Sequence, residues 1–527
     1  MASSDEITDI EKGNEMKLHS LSPIEPEDNK SRPEAHDAAL DVEEENPSNK
    51  FLAWSYRLER MLGFEARGIR RVREDEKTQE TTLSFLQVVM MWFSINAAAQ
   101  NITLASIGQS VFGLGFVDAT LCSVLGGTLG TIPVAYTATW GPLSGNRTMV
   151  CARFAMGWWP VKLCVVLNLV ILIGYSMIDA VVAGQILSAV SENGSLTVEV
   201  GIIITAVLTF IVTTFGIKIF HHYERYAWIP QGIVLLILAG AAGPGFDMVS
   251  PSVVEGKTLI GNRLSFFSVC LSAAITYAPG AADFLVYCDP QITPRWKVFT
   301  ATMIGLTLSF TLTFVIGTGL SSGLEANPSW GAAGAGSGAL IVAGFGGLGG
   351  FGKFCSVIAA LGLIANMVAP IYSAGIDFQI LGRLPAKVPR FLWNTLGVVI
   401  FTVCALAGKD SLSEIFTNFL ALMGYWVVLW IVISIEEHFI FRRHSKPTFV
   451  WSDWDKQERL PIGLAAFTAF CVGWVGAVLC MSQAYFIGPI ASLIGDDGGD
   501  MGNYVGFAWA GLVYLPLRYL ELKKFGR

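Results

Sequence analysis

The stretch 92–101 reads WFSINAAAQN and lies inside an apolar run that begins near residue 85. Its polar side chains are Ser94, Asn96, Gln100 and Asn101. A second apolar run contains TYAPGAAD (276–283), where Pro279-Gly280 interrupts helical hydrogen bonding. Broken or polar backbone at membrane depth persists only where it lines a cavity or is buried in protein. The two stretches therefore predict a pair of discontinuous transmembrane helices around a binding site.

Composition sets the class of protein. Of the 527 residues, 53% are hydrophobic and 15% are charged, whereas soluble domains carry about 25% charged residues. Segments of about 20 apolar residues recur along the chain, and each can span a hydrocarbon core. Counting them predicts an all-α polytopic membrane protein of twelve spans. The nine cysteines form no CxxC pair, so neither a disulfide framework nor a metal site is expected.

The spacing of the spans indicates an internal repeat. The two interrupted segments lie roughly 180 residues apart, and the third and eighth spans are offset by roughly 190. Such an offset is typical of five-plus-five inverted repeats, which bind substrate at the broken first helix of each half. A single Ser or Asn can also simply form a contact between helices. The prediction of a binding site therefore rests on the occurrence of an interrupted segment in each repeat. We predict repeats at 81–245 and 246–440, followed by helices eleven and twelve within 461–522.

The basic residues predict the orientation. The expected outside loops contain Lys257, Arg263 and Lys409, while most other basic residues fall in inside loops. The positive-inside rule therefore places both termini in the cytosol. It also makes 50–80 a basic juxtamembrane segment and 441–460 a cytosolic loop.

The ends and one outer loop complete this topology. Residues 1–49 are acidic and polar, which predicts a disordered cytosolic tail that could carry trafficking or ubiquitination signals. Residues 523–527 form the predicted cytosolic C-terminus. Asn193 begins an Asn-Gly-Ser sequon in an outside loop and is the predicted glycosylation site.

One carboxylate stands out in the third span. Asp179 lies near the middle of the run 161–190, which is otherwise almost free of charge. A charged group at that depth costs about 2.5 kcal/mol or more and is functional by default. Tyr175 lies one turn earlier on the same helical face. Asp179 could bind substrate, carry a coupling proton, or pack against a neighbour as a bonded carboxylic acid.

A glycine-rich stretch, ALIVAGFGGLGGFGKF (339–354), resembles nucleotide-binding patterns but satisfies none of them. Phe354 stands where a phosphate loop needs Ser or Thr, and no acidic residue lies between Lys353 and Asp377. We expect a flexible outer loop leading into the eighth span. The sequence predicts neither an enzyme nor a cofactor, metal or nucleic-acid partner. The predicted partners are the lipid bilayer and a small molecule.

Motifs along most of the chain carry a resemblance to a known family. They are MWFSIN (91–96), HHYERYAWIP (221–230), AADFLVY (281–287), GLIANMVAPIYS (362–373), EHFIFRR (437–443), WSDWDKQERLPIG (451–463), GGDMGNYVGFAWA (498–510) and LRYLELKKFGR (517–527). With these, the chain resembles fungal purine-cytosine permeases of the nucleobase-cation symporter-1 family. The resemblance implies a five-plus-five inverted-repeat (LeuT-like) transporter fold with two additional C-terminal helices. It also implies proton-coupled import of a small planar heterocycle across the plasma membrane.

The implied site departs from the residues usual in that family. The third helix usually carries Trp and Asn four apart, where this chain has Tyr175 and Asp179. The sixth-helix break usually carries a Trp, where this chain has Tyr277. The eighth helix keeps the first Asn of its motif, Asn366, and has Pro370 in place of the last.

The resemblance nonetheless implies a defined set of residues. The substrate contacts are Ser94, Asn96, Tyr175, Asp179, Tyr277 and Asn366, and the coupling candidates are Asp179, Asp283 and Glu224. An ionised Asp only accepts hydrogen bonds, so Asp179 favours a ligand that is rich in donors or cationic. A purine or cytosine is the leading substrate, with the proton as coupling ion. Vitamin B6 (pyridoxine) or another cationic heterocycle is an alternative, as is a transport-inactive sensor or uncoupled facilitator.

Overall fold

The computed structural model describes residues 68–77, 79, 82–191, 195–215, 217–443 and 448–527, without the side chains of 215–228 and 383. The tail 1–49, the sequon at Asn193 and the side chain of Glu224 lie outside these described residues. The predictions made for them therefore stay untested.

The first repeat is helical throughout its long segments. In chain order its helices are α1 (Phe85–Asn96), α2 (Ala99–Ser110), α3 (Phe116–Ala138), the short α4 (Trp140–Ser144), α5 (Thr148–Cys151) and α6 (Arg153–Met156), then α7 (Val161–Val190), α8 (Val198–Phe215) and α9 (Ile217–Ala242). A capping box begins α1, since Ser84 accepts from the Gln87 amide and the Gln87 side chain accepts from Ser84 N–H. The helix begins at Phe85 for that reason.

The second repeat has the same succession of long segments, with short helices before its third and its fourth. Its helices are α10 (Gly256–Ile275), the 3₁₀ segment Ala278–Phe284, α11 (Arg295–Ser322), α12 (Pro328–Ala333), α13 (Gly338–Gly344), α14 (Gly349–Ile380), α15 (Arg383–Ala386), α16 (Arg390–Gly408) and α17 (Leu412–Glu436). A π turn, Glu437–Phe441, extends α17.

Packing between the long helices repeats across the two halves. The α1–α2 pair packs on α11, and its counterpart α10 packs on α3. Likewise α9 contacts α1 and α14, while α17 contacts α10 and α7. The two third long helices, α7 and α14, pack against each other. Each contact has a partner in the other half, as an inverted repeat requires.

The two halves meet through small residues at their closest approach. Gly305 and Gly317 of α11 lie against backbone carbonyls of α1 and α2, at Val89 and Ile102. A side chain at either position would collide with that backbone. Close backbone contact of this kind, through small residues, is how transmembrane helices pack without a hydrophobic driving force.

Helix length and composition can be compared with the twelve predicted spans. Seven segments are long and apolar enough to cross a membrane, or eight when the bent α1–α2 pair is one span. Three shorter apolar helices also occur: Val198–Thr214, Ile229–Gly245 and Leu464–Cys480. This count covers the described part of the chain, and the figure of twelve stays a prediction.

The C-terminal region follows α17. It contains α18 (Leu464–Cys480), the hairpin of β1 (Ser482–Gln483) and β2 (Phe486–Ile487), and α19 (Gly502–Phe525). The antiparallel hairpin pairs Ser482 with Ile487 and Gln483 with Phe486, and it was not expected from the sequence. Helix α19 runs three residues beyond the predicted boundary at 522, because Lys523 and Lys524 favour a helix C-terminus.

The glycine-rich stretch 339–354 is not the flexible loop that we expected. It forms α13, a 3₁₀ turn at Gly346–Leu348 and the start of α14. Gly349 adopts φ 55°, the left-handed conformation that glycine tolerates, where the chain passes from the turn into α14. The expectation was wrong because the apolar residues between the glycines support helix formation.

Candidate functional site

The helix breaks lie at the two stretches singled out in the sequence. The α1–α2 axis bends by 59°. In the second repeat the α-helix ends at Ile275, and Pro279 and Gly280 lie in the 3₁₀ segment that follows. Pro279 cannot donate to a carbonyl of the preceding turn, so the regular helix does not continue through it.

Asp179 and Asn366 join the third long helix of each repeat. Asn366 Nδ2 on α14 donates to Asp179 Oδ2 on α7 at 2.9 Å. Asp179 is 0% exposed and Asn366 8% exposed. The other carboxylate oxygen, Oδ1, is buried and has no hydrogen-bond partner among the described residues. An oxygen left this way costs about 1–3 kcal/mol unless a ligand or water donates to it.

Aromatic rings flank this pair. Tyr175 and Tyr277 lie with ring centroids 6.1 Å apart at 38°. Trp92 meets Tyr277 edge-on at 6.5 Å, and Phe419 meets Tyr175 edge-on at 6.3 Å. The Tyr175 hydroxyl is 2.7 Å from Thr276 Oγ1 and 3.1 Å from the Ala273 carbonyl, at the end of α10. These bonds hold Tyr175 toward the second break, and Asp179 receives its hydrogen bond from Asn366 instead.

Asn96 is fully buried at the first break, and its amide is already bonded. Asn96 Nδ2 donates to Ser309 Oγ on α11 at 3.1 Å. Asn101 Nδ2 donates to the Asn96 carbonyl at 2.7 Å and to Asn96 Oδ1 at 3.0 Å. These contacts fasten the end of α1 to both α2 and α11. Ser94 is half-buried on the same helix. Direct contact of either residue with substrate stays a prediction.

Asp283 forms its hydrogen bonds with residues other than Asp179 and Asn366. Its Oδ1 accepts from Thr148 N at 2.7 Å and from Thr148 Oγ1 at 2.9 Å, at the start of α5. Arg147 Nη1 donates to the Asp283 carbonyl at 2.9 Å. These contacts fix the 3₁₀ segment to the first repeat. Its role in coupling stays a prediction.

Two features of this region are absent from the set of predicted site residues. Gln100 is 1% exposed on α2, and neither of its amide atoms has a partner in the described chain. Asn168 on α7 donates to Asp377 on α14 at 2.6 Å, forming a second pair between the same two helices. Gln100 carried a signal, being polar within an apolar run. The Asn168–Asp377 pair becomes visible only when the two helices are aligned side by side.

A separate cavity of about 130 Å³ lies between the ends of α3, α11 and the loop after α17. Arg295 and His438 line it together with Trp140, Phe449 and Trp451. None of the predicted substrate residues lines this cavity. Asp179 itself is buried.

Comparison with known proteins places this arrangement in a family. Residues 76–491 match the model of permeases for cytosine/purines, uracil, thiamine and allantoin. The chain belongs to this permease family. The protein is therefore a membrane transporter and not an enzyme, and the resemblance drawn from its motifs is confirmed.

Individual relatives of the permease differ in what they carry. It is 33% identical over 526 residues to a vitamin B6 transporter of Saccharomyces cerevisiae, with 90% of each chain covered. It is 35% identical over 474 residues to a purine-cytosine permease of Emericella nidulans, with 89% and 91% covered. Relatives at equal distance thus bear two different substrate names.

Solved structures show the fold of the permease. The inward-facing conformation of Mhp1 matches with a TM-score of 0.64 at 16% identity, covering 88% of this chain and 96% of that one. The closed conformation of Mhp1, a nucleobase-cation-symport-1 family transporter with bromovinylhydantoin bound, matches with a TM-score of 0.63 at 14% identity and the same coverage. The inverted-repeat, all-α transporter fold is confirmed.

Proposed function

We propose that this permease imports a small planar heterocycle, in the first instance a purine or cytosine, together with a proton across the plasma membrane. The observation that carries the proposal is Asp179 Oδ1, a buried acceptor without a partner among the described residues. It lies one helical turn from Tyr175, whose ring approaches that of Tyr277. A nucleobase offers N–H donors in the plane of a ring whose faces can contact tyrosine rings. The membership of purine-cytosine permeases in the family supports the same substrate class.

Vitamin B6 is the second candidate, and the identity of residue 179 favours it. A carboxylate accepts hydrogen bonds but does not donate them, so it suits a ligand with several donors or a positive ring. Pyridoxine carries hydroxyl donors and a ring nitrogen that can be protonated. A cationic ring next to Asp179 would also gain cation–π attraction from Tyr175 and Tyr277.

An uptake panel separates these candidates. The permease, tagged for surface quantification, is expressed in a fungal host that lacks its own nucleobase and pyridoxine uptake. Radiolabelled adenine, hypoxanthine, cytosine and pyridoxine are supplied at outside pH 5 and pH 7, with and without a protonophore. Saturable uptake that falls when protonophore is added supports a proton symporter, and the labelled compound that is taken up identifies the substrate. Uptake that only equilibrates the compound across the membrane identifies a facilitator. If none of the four compounds is taken up, the proposed transport is contradicted, and a transport-inactive sensor is the remaining reading.

The orientation is part of the proposal. Both termini are cytosolic, and the acidic tail 1–49 receives trafficking or ubiquitination machinery there. A protease-sensitive tag at either terminus should stay intact in whole cells and be cleaved after permeabilisation. Cleavage of either tag from outside contradicts the orientation. So does a glycan on Asn146, whose Asn-Arg-Thr sequon falls in a predicted inside loop.

A further inference from the structure

The second pair between α7 and α14 has no place in the substrate site described above. Asn168 Nδ2 donates to Asp377 Oδ2 at 2.6 Å. Both side chains are 2% exposed. A buried carboxylate with a single donor is costly within a membrane protein and marks an ion or proton path by default.

The two pairs are related by the repeat. On α7 the residues are 11 positions apart (179 − 168), and on α14 they are also 11 apart (377 − 366). At 1.5 Å per residue this spacing is roughly 16 Å, or about three turns. The carboxylate comes from α7 in the Asp179 pair and from α14 in the Asp377 pair. A buried Asn–Asp pair therefore occurs twice between these helices, and the helix that supplies Asp in one pair supplies Asn in the other.

The surroundings of the two pairs differ. Four residues before Asp179 stands Tyr175, which supplies a ring beside the carboxylate. The equivalent position, four before Asp377, is Ser373, whose hydroxyl is buried and without a partner within the described ranges. The Asp377 pair thus has no ring at the position where the Asp179 pair has one. It suits a ligand much smaller than a heterocycle.

Charged side chains of other elements lie in the region of Asp377. Asp283, on the 3₁₀ segment after α10, acts electrostatically on Asp377. Asp283 itself accepts two hydrogen bonds from Thr148, which stabilise it as a carboxylate. Among the described residues, Arg147 donates to the Asp283 carbonyl, and Arg390, which lies against Gly375, has its guanidinium 3.6 Å over the Tyr372 ring. A proton on Asp377 removes the repulsion between the two carboxylates.

Polar atoms near Asp377 make the region compatible with proton transfer through water. Asn168 Oδ1 is buried and has no partner in the part of the chain that is described. Both amide atoms of Asn394 are in the same situation, and its side chain lies against Gly375, two residues before Asp377. Buried polar groups of this kind are ordinarily satisfied by water, which also conducts protons.

We propose that Asp377, held by Asn168, is the site that binds the coupling proton, while Asp179 binds the heterocycle. This inference rests on the proposed symport. A proton from water on the outer side forms an O–H bond with an Asp377 carboxylate oxygen, and that bond breaks when the proton passes to water on the inner side. Both pairs join α7 to α14, so the state of one changes the helix contact on which the other depends. Such a shared element couples two ligands in both directions.

Asp377→Asn tests the assignment, because it removes the titratable group at nearly constant volume. The assay uses whichever of radiolabelled cytosine, adenine, hypoxanthine and pyridoxine the wild type concentrates. We expect this variant to reach the surface and to exchange labelled for unlabelled substrate. Its accumulation ratio should fall to about one, because uncoupled transport can only equilibrate a substrate. Uptake should also lose its dependence on outside pH.

Two double variants keep the test decisive. Asn168→Asp with Asp377→Asn reverses the pair, retains one carboxyl group in it, and should restore concentrative, protonophore-sensitive uptake. Asn168→Leu with Asp377→Leu replaces the buried pair by apolar side chains, which is often neutral for stability. It should behave like Asp377→Asn and decides the question if the single variant fails to reach the surface.

The outcomes are distinguishable from failure of the proposed function. If the wild type takes up none of the four heterocycles against a gradient, the symport itself is contradicted. If the wild type concentrates substrate and both variants without a carboxyl do so as well, with unchanged pH dependence, the assignment to Asp377 is overturned. Failure of the reversed pair to restore concentrative uptake, despite normal surface expression, would also overturn it.

Discussion

Asp179 and Asp500 are both buried carboxylates, and they are bonded in opposite ways. Asp179 receives a hydrogen bond from Asn366, and its second oxygen has no partner among the described residues. Asp500, just before α19, accepts from Gln483 Nε2 at 2.6 Å, from Gly502 N at 2.9 Å and from the Tyr425 hydroxyl. Both oxygens of Asp500 thus have protein donors. Because these donors come from α17, the hairpin and α19, Asp500 ties the three elements together.

The difference separates a structural carboxylate from a binding one. Removing Asp500 leaves the buried donors of Tyr425 and Gly502 without an acceptor. Removing Asp179 leaves only the Asn366 amide without one. The first change should therefore act mainly on stability, and the second mainly on transport. Four predictions test this contrast.

Asp179→Ala should have the largest effect, and it should appear in uptake. Loss of a charge-assisted hydrogen bond to the heterocycle reduces apparent affinity by about 100-fold. The measurement is concentration-dependent uptake, normalised to surface protein. Thermal unfolding of the purified variant serves as control and should lie close to wild type. High-affinity uptake by the Ala variant would show that Asp179 does not bind substrate.

Asp500→Ala should show the reverse pattern. Tyr425 and Gly502 lose their acceptor, and Gln483 keeps only its bond to the Tyr425 hydroxyl, so the free energy of unfolding should fall by about 2 kcal/mol. Thermal unfolding in detergent measures this loss. Molecules that reach the surface should still transport with near wild-type affinity. A selective loss of affinity without loss of stability would place Asp500 in the transport pathway.

Asp179→Asn is a finer test, since it restores the residue usual in the family at almost the same volume. If Asp179 accepts from a donor-rich or cationic ring, affinity for that ring should fall by about tenfold, as one hydrogen bond is lost. Uptake of neutral nucleobases should rise in the same assay. An unchanged substrate range together with unchanged affinity would leave Asp179 with a packing role.

The smallest effect is a pH dependence of the Asp500 group. Burial raises the pKa of Asp500 from its ordinary 3.8 to about 6, although the bonds from Tyr425 and the neighbouring donors act in the other direction. Because the folded protein binds this proton more tightly than the unfolded chain, stability from this group grows as pH falls through 6 and decreases as pH rises. Between pH 7 and pH 5 the gain is about 1 kcal/mol. Asp500→Asn should remove that part of the pH dependence of thermal unfolding.

Sequence alone predicted the broken helices, the repeat and the Asp179 neighbourhood, because each depends on a local contrast. Pro279 interrupts a helix wherever it stands, and Asp179 is conspicuous in an apolar run. Asn366 was predicted as a substrate contact on the opposite repeat, and the structure bonds it to Asp179. Tyr175 was placed on the same helical face as Asp179, and its hydroxyl is bonded to Thr276 and Ala273 at the end of α10.

Other parts depend on tertiary contacts that no local pattern shows. Asn168 and Asp377 are 209 positions apart, and their pairing follows only from the register between α7 and α14. Asp500 lies in the loop between α18 and α19, and a carboxylate in a loop is ordinarily solvated. It becomes buried because the hairpin and the start of α19 close over it. Substrate identity is beyond the sequence because relatives of similar sequence identity bear different substrate names.

The bonds of Asn96 have a mechanical consequence. The end of α1, the start of α2 and the middle of α11 all meet at this one amide. Helix α2 therefore cannot rotate against α1 or α11 without stretching or breaking at least one of these bonds. A movement at the bend of the first repeat is thereby transmitted to α11 of the second repeat.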